Sequence, residues 1–309
     1  MTLPTAPPGG SGRPLRCADA AGRRDDPRVG TAPPARRWLL LEHPGPWPVD
    51  AVAGSGLDPA VLGRLTAAAA RTATRILLIR RPGRSAAPER RTWLLSGPAL
   101  GTVEGRWRAD ADLDDAVAAL EAPDPDPVEG PSAPVLLVCA HGVHDTCCAV
   151  RGRPVAAALA QAHPGQVWEC SHVGGDRFAP NVVVLPDGYY YGGLEATTAV
   201  ATVAAHLAGR VLTEHLRGMS RFSPAQQAAV VAAHAAYGPL AAGEVVVAGS
   251  RHEGAYGAPG SRTVVDLRVA GLPGAVQAEV LAVRRPPARL TCRAVRDTTA
   301  TEYRVERLG

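Results

Sequence analysis

Lysine is absent from the 309-residue sequence, and all 33 basic side chains are arginine. Asparagine occurs once, at Asn181, while isoleucine, phenylalanine and methionine occur twice each. Arg, Ala, Gly and Pro are correspondingly abundant. That imbalance reads as a GC-rich coding bias, so arginine- or alanine-rich stretches say little about function and the scarce residue types say more. No apolar run is long and clean enough to span a bilayer. The longest apolar-leaning stretch, Thr197 to Leu216, is interrupted by His206, Arg210, Glu214 and His215 and reads as a helix in water. The N-terminus has arginines but no apolar core followed by a small-residue cleavage site, so no secretory leader is expected. A net charge of +4 is too small and too dispersed for a nucleic-acid surface. Six cysteines without a leader point to thiols or metal ligands rather than structural disulfides, and to the cytoplasm.

With 46% hydrophobic residues the chain is long enough for two or three cores. Residues 1–36, rich in Pro, Gly, Arg and Asp, are expected to be disordered. An N-terminal α/β unit is expected over 37–121, with strands at 38–41, 75–79 and 92–95 and helices at 57–72 and 112–120. A Pro/Asp/Glu linker follows over 122–134. The next unit, 135–220, begins with an apolar strand running into Cys139. A helix from about Pro154 to Ala162, strands at 167–170, 182–185 and 189–191, and the long helix from Thr197 complete it. This β-α-β-β-α order resembles a thioredoxin-like core. The last unit, 221–309, opens with a helix whose Ser223 and Gln226 form a capping box. Strands at 244–248, 263–269, 276–283, 289–293 and 303–307 then make a small antiparallel sheet. The fold class expected is therefore α/β, a thioredoxin-like central domain flanked by an N-terminal α/β unit and a C-terminal helix with antiparallel sheet.

Chemistry concentrates between Cys139 and Gly193. Those 55 residues hold four of the six Cys, four of the nine His, three of the six Tyr and the single Asn. Two segments carry them, Cys139-Ala-His-Gly-Val-His-Asp-Thr-Cys-Cys148 and Cys170-Ser-His-Val-Gly-Gly-Asp-Arg-Phe-Ala-Pro-Asn181. Metal ligation needs thiolates and imidazoles converging from separate segments, commonly a strand end and a loop. Cys139 and Cys170 end strands, Cys147 and Cys148 close the intervening loop, and Gly174-Gly175 frees the backbone to turn close to a bound group. His172 and Asp176, four apart across those glycines, can meet at one metal. His141 and His144 read as loop-stabilising or supporting groups, and His163, His206, His215 and His234 as helix-surface residues without a role. A surface pair of Arg177 with Asp176 is an alternative that would argue against ligation by Asp176. The arginines between Arg80 and Arg91 read as a solvated face, with docking of an acidic partner as the minority reading.

Together the two segments resemble the sucrase/ferredoxin-like family, marked by a Cys-x-His-Gly-x-x-Asp-x-x-Cys loop and a His-x-Gly-Gly-His turn followed by Ala-x-Asn. The resemblance implies a thioredoxin-like protein holding a [2Fe–2S] cluster through two Cys and two His, and an electron-transfer role with an unidentified redox partner protein. Cys139, Cys148 and His172 match three of the family ligands. Asp176 stands where the second His is expected, with Cys170 and Cys147 as alternates for the fourth position. Two other readings use the same residues: a thiol–disulfide oxidoreductase, against which stands the lack of a Cys-x-x-Cys at a helix start, and a structural zinc site. Neither a membrane nor a nucleic-acid partner is expected.

Overall fold

A computed structural model of the chain describes residues 16–83, 88–123 and 133–309. In chain order its elements are α1 (Cys17–Arg23), β1 (Arg37–Glu42), α2 (Pro59–Arg71), β2 (Thr74–Arg80), β3 (Arg91–Gly97), β4 (Gly101–Trp107) and α3 (Asp114–Glu121). Then come β5 (Val135–Cys139), α4 (Thr146–Ala162), β6 (Val167–Cys170), β7 (Asn181–Leu185), β8 (Tyr189–Gly192), α5 (Ala196–Leu207) and β9 (Leu216–Met219). The chain closes with α6 (Pro224–Tyr237), β10 (Val245–Glu253), β11 (Arg262–Val269), β12 (Ala275–Arg284) and β13 (Thr301–Leu308). The fold class is α/β, with a nine-stranded mixed sheet and a four-stranded antiparallel sheet.

The large sheet runs β4-β3-β1-β2-β6-β5-β7-β8-β9. Strands β1 and β5 are buried along their whole length, which is why they read as continuous apolar runs rather than alternating ones. Helix α2, started by Asp58 accepting from the Ala60 and Val61 amides with Pro59 in its first turn, links the parallel pair β1 and β2. Helix α4 does the same for β5 and β6. The Asp187-Gly188 turn joins β7 to β8 as expected, with Gly188 at φ +72°. Strands from 37–121 and from 135–220 meet where β2 runs antiparallel to β6, a junction of two residue pairs, Ile79–Cys170 and Arg80–Glu169. The small sheet alternates buried and exposed positions, so Val265, Leu267 and Val269 of β11 join Ala278 and Val280 of β12 in a core with α6. Ser223 caps α6, and its capping box with Gln226 is present.

Several expectations need correction. Part of the segment expected to be disordered is helical: α1 packs with Cys17, Ala18, Ala20 and Ala21 buried, whereas residues 1–15 lie outside the described residues. Most of the expected linker, 124–132, also lies outside them. The helix expected at Pro154 begins at Thr146, because Asp145 caps it there. Pro154 lies inside that helix, where it has no N–H for the carbonyl four residues back, at Val150 on an exposed turn. The long helix expected from Thr197 stops at Leu207. Gly209, at φ +74°, turns the chain, with the Arg210 amide donating to Ala205 O. Leu216 then starts strand β9, and β4 is a further strand that the sequence reading passed over. No strand forms over 289–293, which is irregular, with a bend and turn over 291–293. His206 and His234 are buried, at 4% and 3% exposure, not surface groups. His206 lies 2.9 Å from the Tyr191 hydroxyl and 3.2 Å from Asp187 Oδ2.

Candidate metal centre

Strand β5 delivers Cys139, fully buried, to the end of the sheet. After a short turn Asp145 caps α4 and accepts from the Cys147 amide at 2.8 Å. Cys147 and Cys148 therefore sit in the first turn of a helix rather than in a loop. Successive helical residues point about 100° apart, so the two thiols face different ways. Cys148 faces Cys139. Helix α4 reaches this position because Gly152 has no side chain: a Cβ there would stand 2.1 Å from the Cys139 carbonyl oxygen.

His172 follows β6, and its backbone is tied to β2. Arg75 donates to His172 O at 2.8 Å and to Val173 O at 3.2 Å, and the Leu78 amide donates to Ser171 Oγ at 3.0 Å. Gly174 and Gly175, at φ +89° and +79°, then fold the chain so that Asp176 returns under His172. The turn is clamped by Arg217, which is fully buried. Its guanidinium donates to Gly174 O at 2.9 Å, Asn181 Oδ1 at 2.8 Å and Thr31 O at 2.5 Å, and Asn181 Nδ2 donates to Gly175 O at 3.0 Å. The single asparagine of the chain thus serves the turn that carries His172 and Asp176. Arg177 pairs with Asp26 at 3.4 Å, and not with Asp176 in the alternative surface pair.

Four donors converge. The ligand atoms of Cys139, Cys148 and His172 all lie within 4.8 Å of one another, as do those of His144, His172 and Asp176. Cys148 Sγ is 3.4 Å from Asp176 Oδ1, and His172 Nδ1 is 2.9 Å from that same oxygen. That second contact is an ion pair when the ring is protonated, although Nδ1 makes no hydrogen bond of good geometry among the described residues. The thiols lie inside, and the imidazole is the outermost donor, with 23% of its side chain exposed. His144 stacks on His172 at 3.8 Å and comes within 3.9 Å of Asp176 Oδ2, which makes it a further candidate that the sequence reading set aside.

His141 has a supporting part. Its Nδ1 accepts from the His172 amide at 3.3 Å, so the proton resides on Nε2, which donates to Pro48 O at 2.8 Å. Burial holds its pKa below the usual value, in keeping with a neutral ring. The alternate Cys170 is buried beside Cys139 across the β5–β6 ladder but joins no group of converging donors among the described residues, and burial pushes its thiol up. The alternate Cys147 faces away from the other four.

Charge is unevenly shared. Contact with Cys148 draws the Cys139 thiol well down, against the effect of burial, and His172 draws it further. The Cys148 thiol is pushed up, first by Cys139 and then by burial. Burial disfavours the charged ring of His172, but Asp176 and Cys139 outweigh it and raise its pKa to about 9. Burial likewise opposes ionisation of Asp176, and His172 outweighs it, leaving the carboxyl below its ordinary value. The shifts thus favour charge on Cys139, His172 and Asp176 and disfavour it on Cys148. Two thiols, an imidazole and a carboxylate form a donor set that suits iron or zinc.

Neither a curated protein nor a solved structure matches the chain. The model of the sucrase/ferredoxin-like family does match, over residues 28–218, which take in every element from β1 to the start of β9 and all four converging donors. The chain belongs to the sucrase/ferredoxin-like family.

Proposed function

We propose that Cys139, Cys148, His172 and Asp176 hold a [2Fe–2S] cluster and that the protein carries single electrons to or from a partner protein. The observation that supports this reading is the convergence of two buried thiols from one segment with an imidazole and a carboxylate from another. Such a cluster supplies reversible one-electron chemistry. The chain's own residues hold the donors in place. Gly152 lets α4 bring Cys148 up to Cys139, Arg217 and Asn181 fix the Gly174-Gly175 turn, and His141 receives the His172 amide. His172 lies at the protein surface, which puts the outer edge of the centre within reach of a partner.

A structural zinc ion is the second reading. It is favoured by the close approach of Cys139, Cys148 and His172, whose ligand atoms lie within 4.8 Å of one another, a compactness that suits a single ion. Anaerobic purification followed by iron and sulfide analysis separates the two. About two irons and two sulfides per chain, with visible charge-transfer absorption, are expected. A colourless protein after reconstitution, or stoichiometric zinc at Cys139 and Cys148, overturns the electron-carrier reading.

A further inference from the structure

The first turn of α4 serves two places at once. While Cys148 faces the centre described above, Cys147 turns to a second group of donors drawn from distant parts of the chain. Cys17, at the start of α1, and Cys292, in the turn between β12 and β13, bring their thiols there, and Asp145 adds a carboxylate. The ligand atoms of all four residues lie within 4.8 Å of one another. Cys17 and Cys292 are 3.5 Å apart at sulfur, and Cys147 and Cys292 are 3.4 Å apart. Cys17 Sγ stands 3.5 and 3.6 Å from the two Asp145 oxygens. Cys17, Cys147 and Asp145 are buried, and Cys292 is half-buried.

We propose that Cys17, Cys147, Cys292 and Asp145 form a second metal site, separate from the first, that takes one zinc ion in thiolate-rich tetrahedral coordination. The sulfur separations are far beyond the roughly 2.05 Å of a disulfide. They lie close to the edge of a tetrahedron with zinc–sulfur bonds of about 2.3 Å, whose corners stand about 3.8 Å apart. Three thiols cannot all be consumed by a disulfide, but three thiolates and a carboxylate complete a four-coordinate shell. The compactness of the group suits one ion rather than a multi-iron cluster.

The surroundings are prepared for charge on sulfur and for a fixed carboxylate. The Cys17 amide donates to Cys292 Sγ at 3.4 Å. Asp145 Oδ1 accepts from the Cys147 amide at 2.8 Å and Oδ2 from the Cys292 amide at 2.6 Å, so the carboxylate is oriented before an ion arrives. Binding releases the thiol protons to solvent and leaves the zinc, three thiolates and carboxylate with a net charge of −2. The ion ties α1 and the β12–β13 turn to the helix that presents Cys148, joining residues 275 apart in sequence. Its role is structural: no open coordination position remains for a substrate.

The test uses the full-length chain purified from zinc-supplemented cells. One equivalent of zinc is expected, retained in Cys148→Ser and lost in Cys17→Ser and in Cys292→Ser, with Cys292→His restoring it. Zinc content that stays unchanged in Cys292→Ser, or that falls only in Cys148→Ser, overturns the proposal. Because the Ser variants could fail to fold, X-ray absorption at the zinc edge of the wild-type protein decides independently. Three sulfurs at about 2.3 Å and one lighter ligand are expected. Two sulfurs or fewer, no zinc, or a disulfide between any two of the three cysteines in protein purified without reductant, overturns it.

Discussion

Gly152 of α4 packs directly beneath the carbonyl of Cys139 at the end of β5, so close that the position has room for a hydrogen and nothing larger. The contact sets the distance between the strand that supplies one thiol and the helix that supplies another. Gly152→Ala is expected to push α4 outward, because the obstacle is backbone and cannot rotate away. A loss of about 1–3 kcal/mol in stability is expected, as for overpacking elsewhere. Helix propensity alone predicts a gain of up to about 1 kcal/mol. Denaturant unfolding distinguishes the two, and metal content should fall in parallel with stability.

Adjacent thiols with different neighbours give a second prediction. Cys148→Ala is expected to abolish iron binding at the Cys139 centre, and Cys147→Ala to leave it intact while removing zinc. Paired iron and zinc analyses of both variants check this. The reverse pattern would show that the donors of α4 are exchanged.

Asp176 determines the charge of the proposed cluster. With an oxidised core of +2, two thiolates, a neutral imidazole and a carboxylate leave −1, whereas four thiolates leave −2 and a second imidazole in place of Asp176 leaves 0. Less negative charge makes an added electron easier to accept. The midpoint is therefore expected between the roughly −400 mV of plant-type ferredoxins and the roughly −150 to +300 mV of His-ligated Rieske centres. Asp176→His should raise it while retaining the cluster. Redox titration of both proteins tests the order; an unchanged potential and spectrum removes Asp176 from the ligand set.

Stability should also depend on pH through His234, which α6 buries with neither ring nitrogen hydrogen-bonded among the described residues. Burial, then the neighbouring His206, lowers its pKa to about 4. An unfolded chain holds the proton below about 6.5. Between about pH 6.5 and 4 the unfolded state therefore binds more protons than the folded one, and stability falls as pH is lowered through that window. The effect amounts to at most about 3 kcal/mol. His234→Leu should flatten the dependence there, as read from urea midpoints at pH 7 and pH 5.

Much of the candidate centre was legible because its signals are local. Cys139, His172 and Asp176 belong to two short segments rich in scarce residue types, and β5 reads as an unbroken apolar strand. The start of α4 was misjudged because Pro154 suits a helix N-terminus, while the cap at Asp145 lies nine residues earlier. Arg217 was hidden by position: in sequence it follows what reads as a long helix, and only the Gly209 turn places it under the Gly174-Gly175 loop. The second group of donors was beyond local reading altogether. Cys17 and Cys292 have no neighbouring ligand in sequence, and only the folded chain brings them to Asp145 and Cys147.

The junction between β2 and β6 is only two residue pairs long, and the chain leaves it straight into the turn bearing His172. The large sheet is thus fastened at its middle by the same few residues that present a donor. Whatever occupies the centre also stiffens that fastening, since a group that binds only the closed arrangement must oppose its opening by mass action. Amide exchange along β2, some distance in sequence from any proposed ligand, becomes a gauge of occupancy. The two halves of the sheet should breathe apart more often in protein stripped of its bound group than in protein that retains it.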